Sequence, residues 1–249
     1  MQEEINHLIK WLQRQVEDAK VNGLLVGISG GLDSAVVAHL IERACPGKAI
    51  GVVMPIQTHE DDLFDAKQVV ETSGIKGMTV DLTHTHKTML EEIKQPIVKR
   101  DEWQAKNNRL ADANLRARLR MSTLYTIGTN YHYLVVGTDN LAEWYTGYFT
   151  KYGDGGVDIL PLVQFTKGEV RKMAESLGVP QSVIDKNPSA DLWEGQSDEQ
   201  EIGTTYDKID AYLTGEKIPS KDQDIIERLH QKTAHKRHIA THYIRNITQ

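Results

Sequence analysis

A doubly wound α/β fold, with a parallel sheet covered by helices on both faces, is predicted by three features of the sequence. The short, continuous apolar run 24–28 and the run 49–54 read as buried strands, and residues 78–82 and 133–136 as a third and a fourth strand. Stretches with helical spacing of apolar residues alternate with these runs, as βα units require. A turn rich in glycine and serine joins the first run to the next helix, where open parallel sheets bind their ligands.

In chain order, Ile5, Leu8, Ile9, Leu12 and Val16 mark an amphipathic opening helix. The first strand follows Gly23, and the helix after it occupies residues 35–44. Pro55 ends the second strand. Glu60, Asp61 and Asp62 then open a helix reaching about residue 72, with acids where the helix dipole favours them. The polar stretch 84–108 predicts a helix with a mobile connection, and 110–127 a long helix. Residues 186–198, with Pro188 and Gly195, predict a flexible loop or lid. Right-handed crossovers would bring the carboxyl end of every strand to one edge of the sheet.

The bulk numbers narrow the function classes. A chain of 249 residues buries an ample core without disulfides or metal staples and is expected to be a single domain, 1–249. Net charge is −6, and no stretch is dense in Lys and Arg, which argues against a nucleic-acid partner. The lone cysteine, Cys45, excludes an intramolecular disulfide or a CxxC pair. The first residues lack a leader pattern and no apolar run matches a bilayer, so a cytoplasmic location without membrane contact is expected.

The turn itself, Ser29-Gly30-Gly31-Leu32-Asp33-Ser34, carries chemistry. Two glycines let the backbone turn tightly and approach a ligand. The helix start behind them offers unpaired N–H groups and a positive dipole end to an anion. Ser29 and Ser34 add hydroxyl donors, and Asp33 can hold a divalent cation against phosphates. The alternative is a plain tight turn with Asp33 as the helix N-cap. No GxxxxGK[ST] or GxGxxG pattern is present, which disfavours γ-phosphoryl transfer and dinucleotide-dependent redox chemistry.

The turn resembles the PP-loop of the ATP pyrophosphatase superfamily, whose fold is adenine-nucleotide alpha-hydrolase-like. A later run narrows the resemblance: Gly137-Thr138-Asp139-Asn140, Ala142-Glu143 and Thr146-Gly147-Tyr148-Phe149-Thr150-Lys151-Tyr152-Gly153-Asp154-Gly155-Gly156, then Asp158. With Leu160-Pro161-Leu162, Thr166-Lys167, Pro188-Ser189-Ala190-Asp191-Leu192-Trp193 and His235-Lys236-Arg237, it is similar to the NAD synthetases over essentially the whole chain. That resemblance implies ATP-dependent amidation of deamido-NAD by ammonia through an acyl-adenylate, by a homodimer. It places ATP on Gly27, Ile28, Ser29, Gly30, Gly31, Leu32, Asp33, Ser34, Thr138, Lys167 and Ser189. Deamido-NAD would lie on Arg118, Lys151, Asp158, His235 and Lys236, and Mg²⁺ on Asp33 and Glu143. Asp33, Lys167 and Lys186 would be the catalytic groups. No glutaminase segment is evident, so free or delivered ammonia is the expected nitrogen source. Val53-Met54-Pro55 departs from the Arg-Leu-Pro of some members.

Two readings rest on helical faces. Asp112, Arg116 and Arg120 recur at i,i+4 and predict a solvated ion-pair stripe. Arg118 instead shares a face with Leu115, Met121 and Tyr125 and is aimed at a buried anion or a subunit contact. His235, His238 and His242 would share a face only in a helix, the one arrangement in which they resemble a zinc site.

Overall fold

The computed structural model describes residues 1–188 and 197–243. In chain order it contains α1 (Gln2–Ala19), β1 (Gly23–Ile28), α2 (Leu32–Ala44), β2 (Ala49–Val53), α3 (Glu60–Ser73), β3 (Lys76–Thr79), α4 (Thr83–Val98), α5 (Asn108–Tyr131) and β4 (Tyr133–Val136). Then follow α6 (Leu141–Thr146), α7 (Lys167–Leu177), α8 (Gln181–Asp185), α9 (Asp198–Ile202), α10 (Tyr206–Leu213) and α11 (Ser220–Lys232).

The four strands are parallel, in the order β3-β2-β1-β4. Leu24 sits beside Ala49 on one side and Leu134 on the other. Within the apolar strands β1 and β4, residues alternate between two cores. Leu24, Val26 and Ile28 pack with α1, α2, α3, α7 and α8, while Leu25 and Val135 pack against α5 with Leu82 and Met54. Each fully buried Leu, Ile or Val contributes about 1.5–3 kcal/mol, so covering both faces is what holds this sheet together. A third cluster, built on Ala142, Ile202, Tyr206, Ile209 and Ile226, joins α6 to α9, α10 and α11.

Two boundaries differ from the sequence expectation. β3 covers Lys76–Thr79 rather than 78–82, and lies largely exposed at the sheet edge. Val80 and Leu82 still donate to Val53 O and Pro55 O (2.9 Å each), and Leu82 is buried beyond the end of the regular ladder. The polar 84–108 stretch forms α4 through Val98, then turns and a 3₁₀ turn at Ala105–Asn107.

From β1 the chain winds to β2 and β3 on one side and returns to β4 on the other. A crevice therefore opens between the carboxyl ends of β1 and β4, the switch point at which such sheets bind ligands. The Ser29–Ser34 turn and the Gly137-Thr138-Asp139 run both leave the sheet there.

Candidate active site

The Ser29–Ser34 loop is braced by its own hydroxyls. Ser34 Oγ donates to Gly31 O (3.0 Å), Gly31 N donates to Ser29 Oγ (3.1 Å) and Ser29 N to Ser34 Oγ (3.3 Å). Gly30 has φ +86°, and a Cβ there would lie 2.7 Å from Asp62 O, so glycine alone fits. Gly31 is the N-cap of α2 and brings no side-chain cap, leaving the first N–H groups and the dipole to an incoming anion. Asp33 is the second residue of the helix rather than its cap, so it does not take the N-cap role of the plain-turn alternative. Its carboxylate accepts from Asn140 Nδ2 (3.0 Å) and from the Lys167 ammonium.

Local capping sets the opposite wall. Asn140 caps α6, and Glu143 closes a reciprocal capping box, with Oε2 accepting from Asn140 N (3.2 Å). Its other oxygen is left facing Lys167 Nζ (3.3 Å) and the hydroxyl of Tyr206 (3.1 Å). A second capping box, Thr166 with Glu169, makes Lys167 the first residue of α7. The Lys167 and Gly168 N–H groups donate to Asp210 (3.2 and 2.9 Å). Such caps are worth about 1 kcal/mol each; here they also fix where two charged side chains point.

The electrostatics follow from burial. Burial alone would lower the Lys167 ammonium, but the carboxylates of Asp33 and Glu143 override it and hold it above the ordinary lysine range. Burial pushes Glu143 up to about 7, with Asp33 adding to the rise and Lys167 opposing it. Asp139 is raised well above the carboxylate range by burial and by Asp154, Glu143 and Asp33. Its Oδ2 is buried without a hydrogen-bond partner.

These groups line one cleft of about 430 Å³, whose wall includes Ser29, Asp33, Thr138, Glu143, Lys167, Lys186 and Lys236. That size suits a small ligand. Lys186 contacts Asp62 directly and Asp65 at 3.3 Å. Pro188 O accepts from Asp198 N (3.3 Å), so the ends of the expected lid meet; Ser189 and the rest of that stretch lie outside the described residues.

The residues expected for the second substrate are not gathered in this cleft. Lys236 is in its wall, donating to Gly147 O (2.7 Å) and Phe149 O. Gly147 has φ +69°, and a Cβ there would meet Thr233 at 2.2 Å, which is how the chain before Lys236 packs so closely. Arg118, Lys151 and His235 form a chain outside the cleft: Arg118 donates to Lys151 O (3.3 Å) and Lys151 Nζ to His235 O. Asp158 is engaged elsewhere, accepting from Tyr125 Oη (2.9 Å) and Val135 N (2.8 Å).

The solvated stripe on α5 is a correction. Arg116 is largely buried and bridges Asp112 (2.7 Å) to Ile56 O (2.7 Å), while Arg120 donates to Met54 O (3.1 Å). Both arginines satisfy carbonyls where the chain leaves β2, a demand invisible in helical spacing. Arg118 is the exposed one of the three. After the 3₁₀ turn at Ala234–Lys236 the chain is not helical, so His235, His238 and His242 do not share a helical face. Among the described residues no cluster of three His, Cys, Asp or Glu is poised for a metal. Asp139, Asn140, Asp198 and Tyr206 were assigned no site role from sequence, although Asp139 and Asn140 lie in the run that carries the resemblance and Asn140 sits as a cap three residues before Glu143.

An α/β nucleotide-binding protein of the PP-loop kind is what the sheet order, the uncapped loop and the acid–lysine cluster define. The model of the NAD synthase family matches residues 4–245, and the chain belongs to that family. An NH(3)-dependent NAD(+) synthetase of Alkaliphilus metalliredigens is 55% identical over 233 residues, 94% of each chain. Among solved structures, an NMN synthetase from Francisella tularensis is similar with a TM-score of 0.90 and 35% identity, over 99% of this chain and 98% of that one. An NAD+ synthetase from Burkholderia pseudomallei has a TM-score of 0.78 and 28% identity, over 95% and 89%. No helix of the described residues is long and apolar enough to cross a membrane.

Proposed function

We infer that this chain is an ammonia-dependent NAD+ synthetase, amidating deamido-NAD with ATP through an acyl-adenylate. The observation that carries the reading is the cluster of Asp33, Glu143 and Lys167 at the open end of an anion-binding loop. A carboxylate is a poor electrophile, and adenylation gives it a leaving group. The nicotinate carboxylate oxygen bonds to the α-phosphorus of ATP, and the bond to the β-phosphate side breaks, releasing pyrophosphate. Loop N–H groups and Lys167 stabilise the charge that develops there. Ammonia then attacks the acyl carbon, loses a proton, and AMP leaves. No protein nucleophile is needed, so catalysis is positioning and charge neutralisation.

Asp33 and Glu143 are the hard oxygen donors that would hold Mg²⁺. Their convergence on one ammonium group, with the unpartnered Asp139 oxygen among their charged neighbours, fits a cation held also by substrate phosphates. When bound, Mg²⁺ supplies further neutralisation of phosphate charge. The single domain 1–249, Ser189 on ATP, and Arg118, Lys151, Asp158, His235 and Lys236 on deamido-NAD remain part of this reading. Completion of the second substrate's site by a homodimer is supported by the rim position of Arg118, Lys151 and His235, with Tyr152 exposed beside them.

The test is pyrophosphate release with deamido-NAD and, separately, nicotinate mononucleotide, each with ammonium or glutamine. Deamido-NAD with ammonium is expected to react fastest and glutamine alone to fail. Preference for the mononucleotide would move the chain toward the activity named for the Francisella protein. Release with neither acid would refute the reading.

A further inference from the structure

Lys186 flanks the phosphate loop on the side away from Lys167. The groups holding Lys167 follow β1 and β4, whereas those holding Lys186 lie in α3, which follows β2 on the other side of β1. We propose that Asp62 and Asp65 are positioning residues that hold the Lys186 ammonium beside the loop, where it receives the departing pyrophosphate. The proposal rests on the adenylation reading.

Three observations carry it. Asp62 and Asp65 are 6% and 9% exposed, deeply placed for aspartates. Both lie in the first two turns of α3, where the dipole favours anions. Second, the absent Cβ of Gly30 lets the α3 backbone rest against the loop, with Asp62 O 2.7 Å and Asp65 Cβ 3.1 Å from where that Cβ would be. The acids are therefore at a distance from the loop set by backbone packing rather than by a flexible side chain. Third, Lys186 reaches both acids and forms part of the cleft wall together with Ser29, Gly31 and Asp62. A lysine on a four-carbon stem samples many rotamers when free; two buried carboxylates favour the positions beside the loop. Ser182 Oγ donates to Asp65 (3.4 Å), orienting that acid from α8, the helix immediately before Lys186.

In the step served, one carboxylate oxygen–phosphorus bond forms and one phosphorus–oxygen bond breaks. The electron pair leaves with pyrophosphate, and Lys186 contributes charge and hydrogen bonds without giving up its proton. A residue acting only as a staple between α3 and the chain after α8 would stabilise the fold and leave pyrophosphate affinity unchanged.

The experiment compares wild type, Lys186→Met, Asp62→Asn and the double variant by deamido-NAD-dependent ATP–pyrophosphate exchange and by inhibition with inorganic pyrophosphate. Lys186→Met is expected to slow exchange by about 10- to 150-fold, the worth of one charge-assisted hydrogen bond. It is also expected to weaken pyrophosphate inhibition, with the KM for deamido-NAD changing less than about threefold. Asp62→Asn is expected to act in the same direction on wild type, and to add less than about twofold to Lys186→Met. Asp65→Asn in both backgrounds provides the same cycle if Asp62→Asn unfolds. Multiplicative losses, or unchanged pyrophosphate inhibition in Lys186→Met, would overturn the proposal. Absence of exchange in the wild-type protein would instead overturn the adenylation reading.

Discussion

Lys167 and Lys186 both present ammonium groups to one cleft, yet their surroundings differ. Lys167 is 8% exposed, set between carboxylates from α2 and α6 and 4.9 Å from the centre of the Tyr206 ring on α10. Lys186 is 24% exposed and leans on two acids of α3. A buried cluster of opposite charges is mutually dependent, because removing one member strands the others in low dielectric. A partly exposed lysine held by two acids keeps access to water, and losing it strands less charge in low dielectric. The first arrangement suits a centre fixed before substrate arrives; the second suits a group that meets a leaving product.

The largest expected effect falls on the locked side. Asp33→Asn is expected to reduce turnover by about 10³-fold, the scale for loss of a preorganised charge, while circular dichroism still reports a folded protein. Near-normal turnover at saturating Mg²⁺ would remove Asp33 from the reaction. Lys167→Met is expected to cost about 3–5 kcal/mol of stability by stranding Asp33 and Glu143, measured by urea unfolding, and added Mg²⁺ should recover part of it. Lys186→Met should cost distinctly less. Equal costs for the two lysines would erase the contrast drawn between them.

The same contrast recurs on α5 at smaller scale. Arg116→Ala loses bonds to Asp112 and Ile56 O, and about 1.5–3 kcal/mol is expected in urea unfolding. Exposed Arg118→Ala should change stability by no more than about 0.5 kcal/mol, its effect appearing in the KM for deamido-NAD. Reversal of that order would mean the rim and core assignments of this helix are wrong.

The smallest effect is pH-dependent. Burial, helped by Arg116 and opposed by Asp112, lowers the pKa of His86 below the ordinary histidine value of 6.5. The unfolded chain then binds this proton first, so stability is lost as pH falls through about 6.5 and levels off below the folded pKa. His86→Gln should flatten that acid limb in unfolding measurements; an unchanged limb would assign it to other groups.

The central strands and the Ser29–Ser34 turn were legible because their signals are local, namely apolar runs, two glycines and a helix start, whereas the exposed edge strand β3 lacks that apolar signal. Glu143 was legible as part of a motif, but the reason it points at Lys167 is the Asn140 capping box together with the independent box at Thr166. Tyr206 and Asp198 reach the site from distant helices through the third apolar cluster, and no spacing rule announces that. Arg116 was misread because carbonyls at the end of β2 outcompete solvent for its guanidinium, a tertiary demand that i,i+4 spacing cannot display. Asp158 satisfies Val135 N–H, a need created by the fold rather than by its motif.

The central claim is that the carboxylate of the acid substrate attacks the α-phosphorus at this loop. Deamido-NAD carrying ¹⁸O in its nicotinate carboxylate, turned over with ATP and ammonium, tests this by mass spectrometry of the products. The mechanism requires one labelled oxygen to appear in AMP and none in pyrophosphate. Label in a phosphate other than that of AMP, or AMP without label, would contradict it.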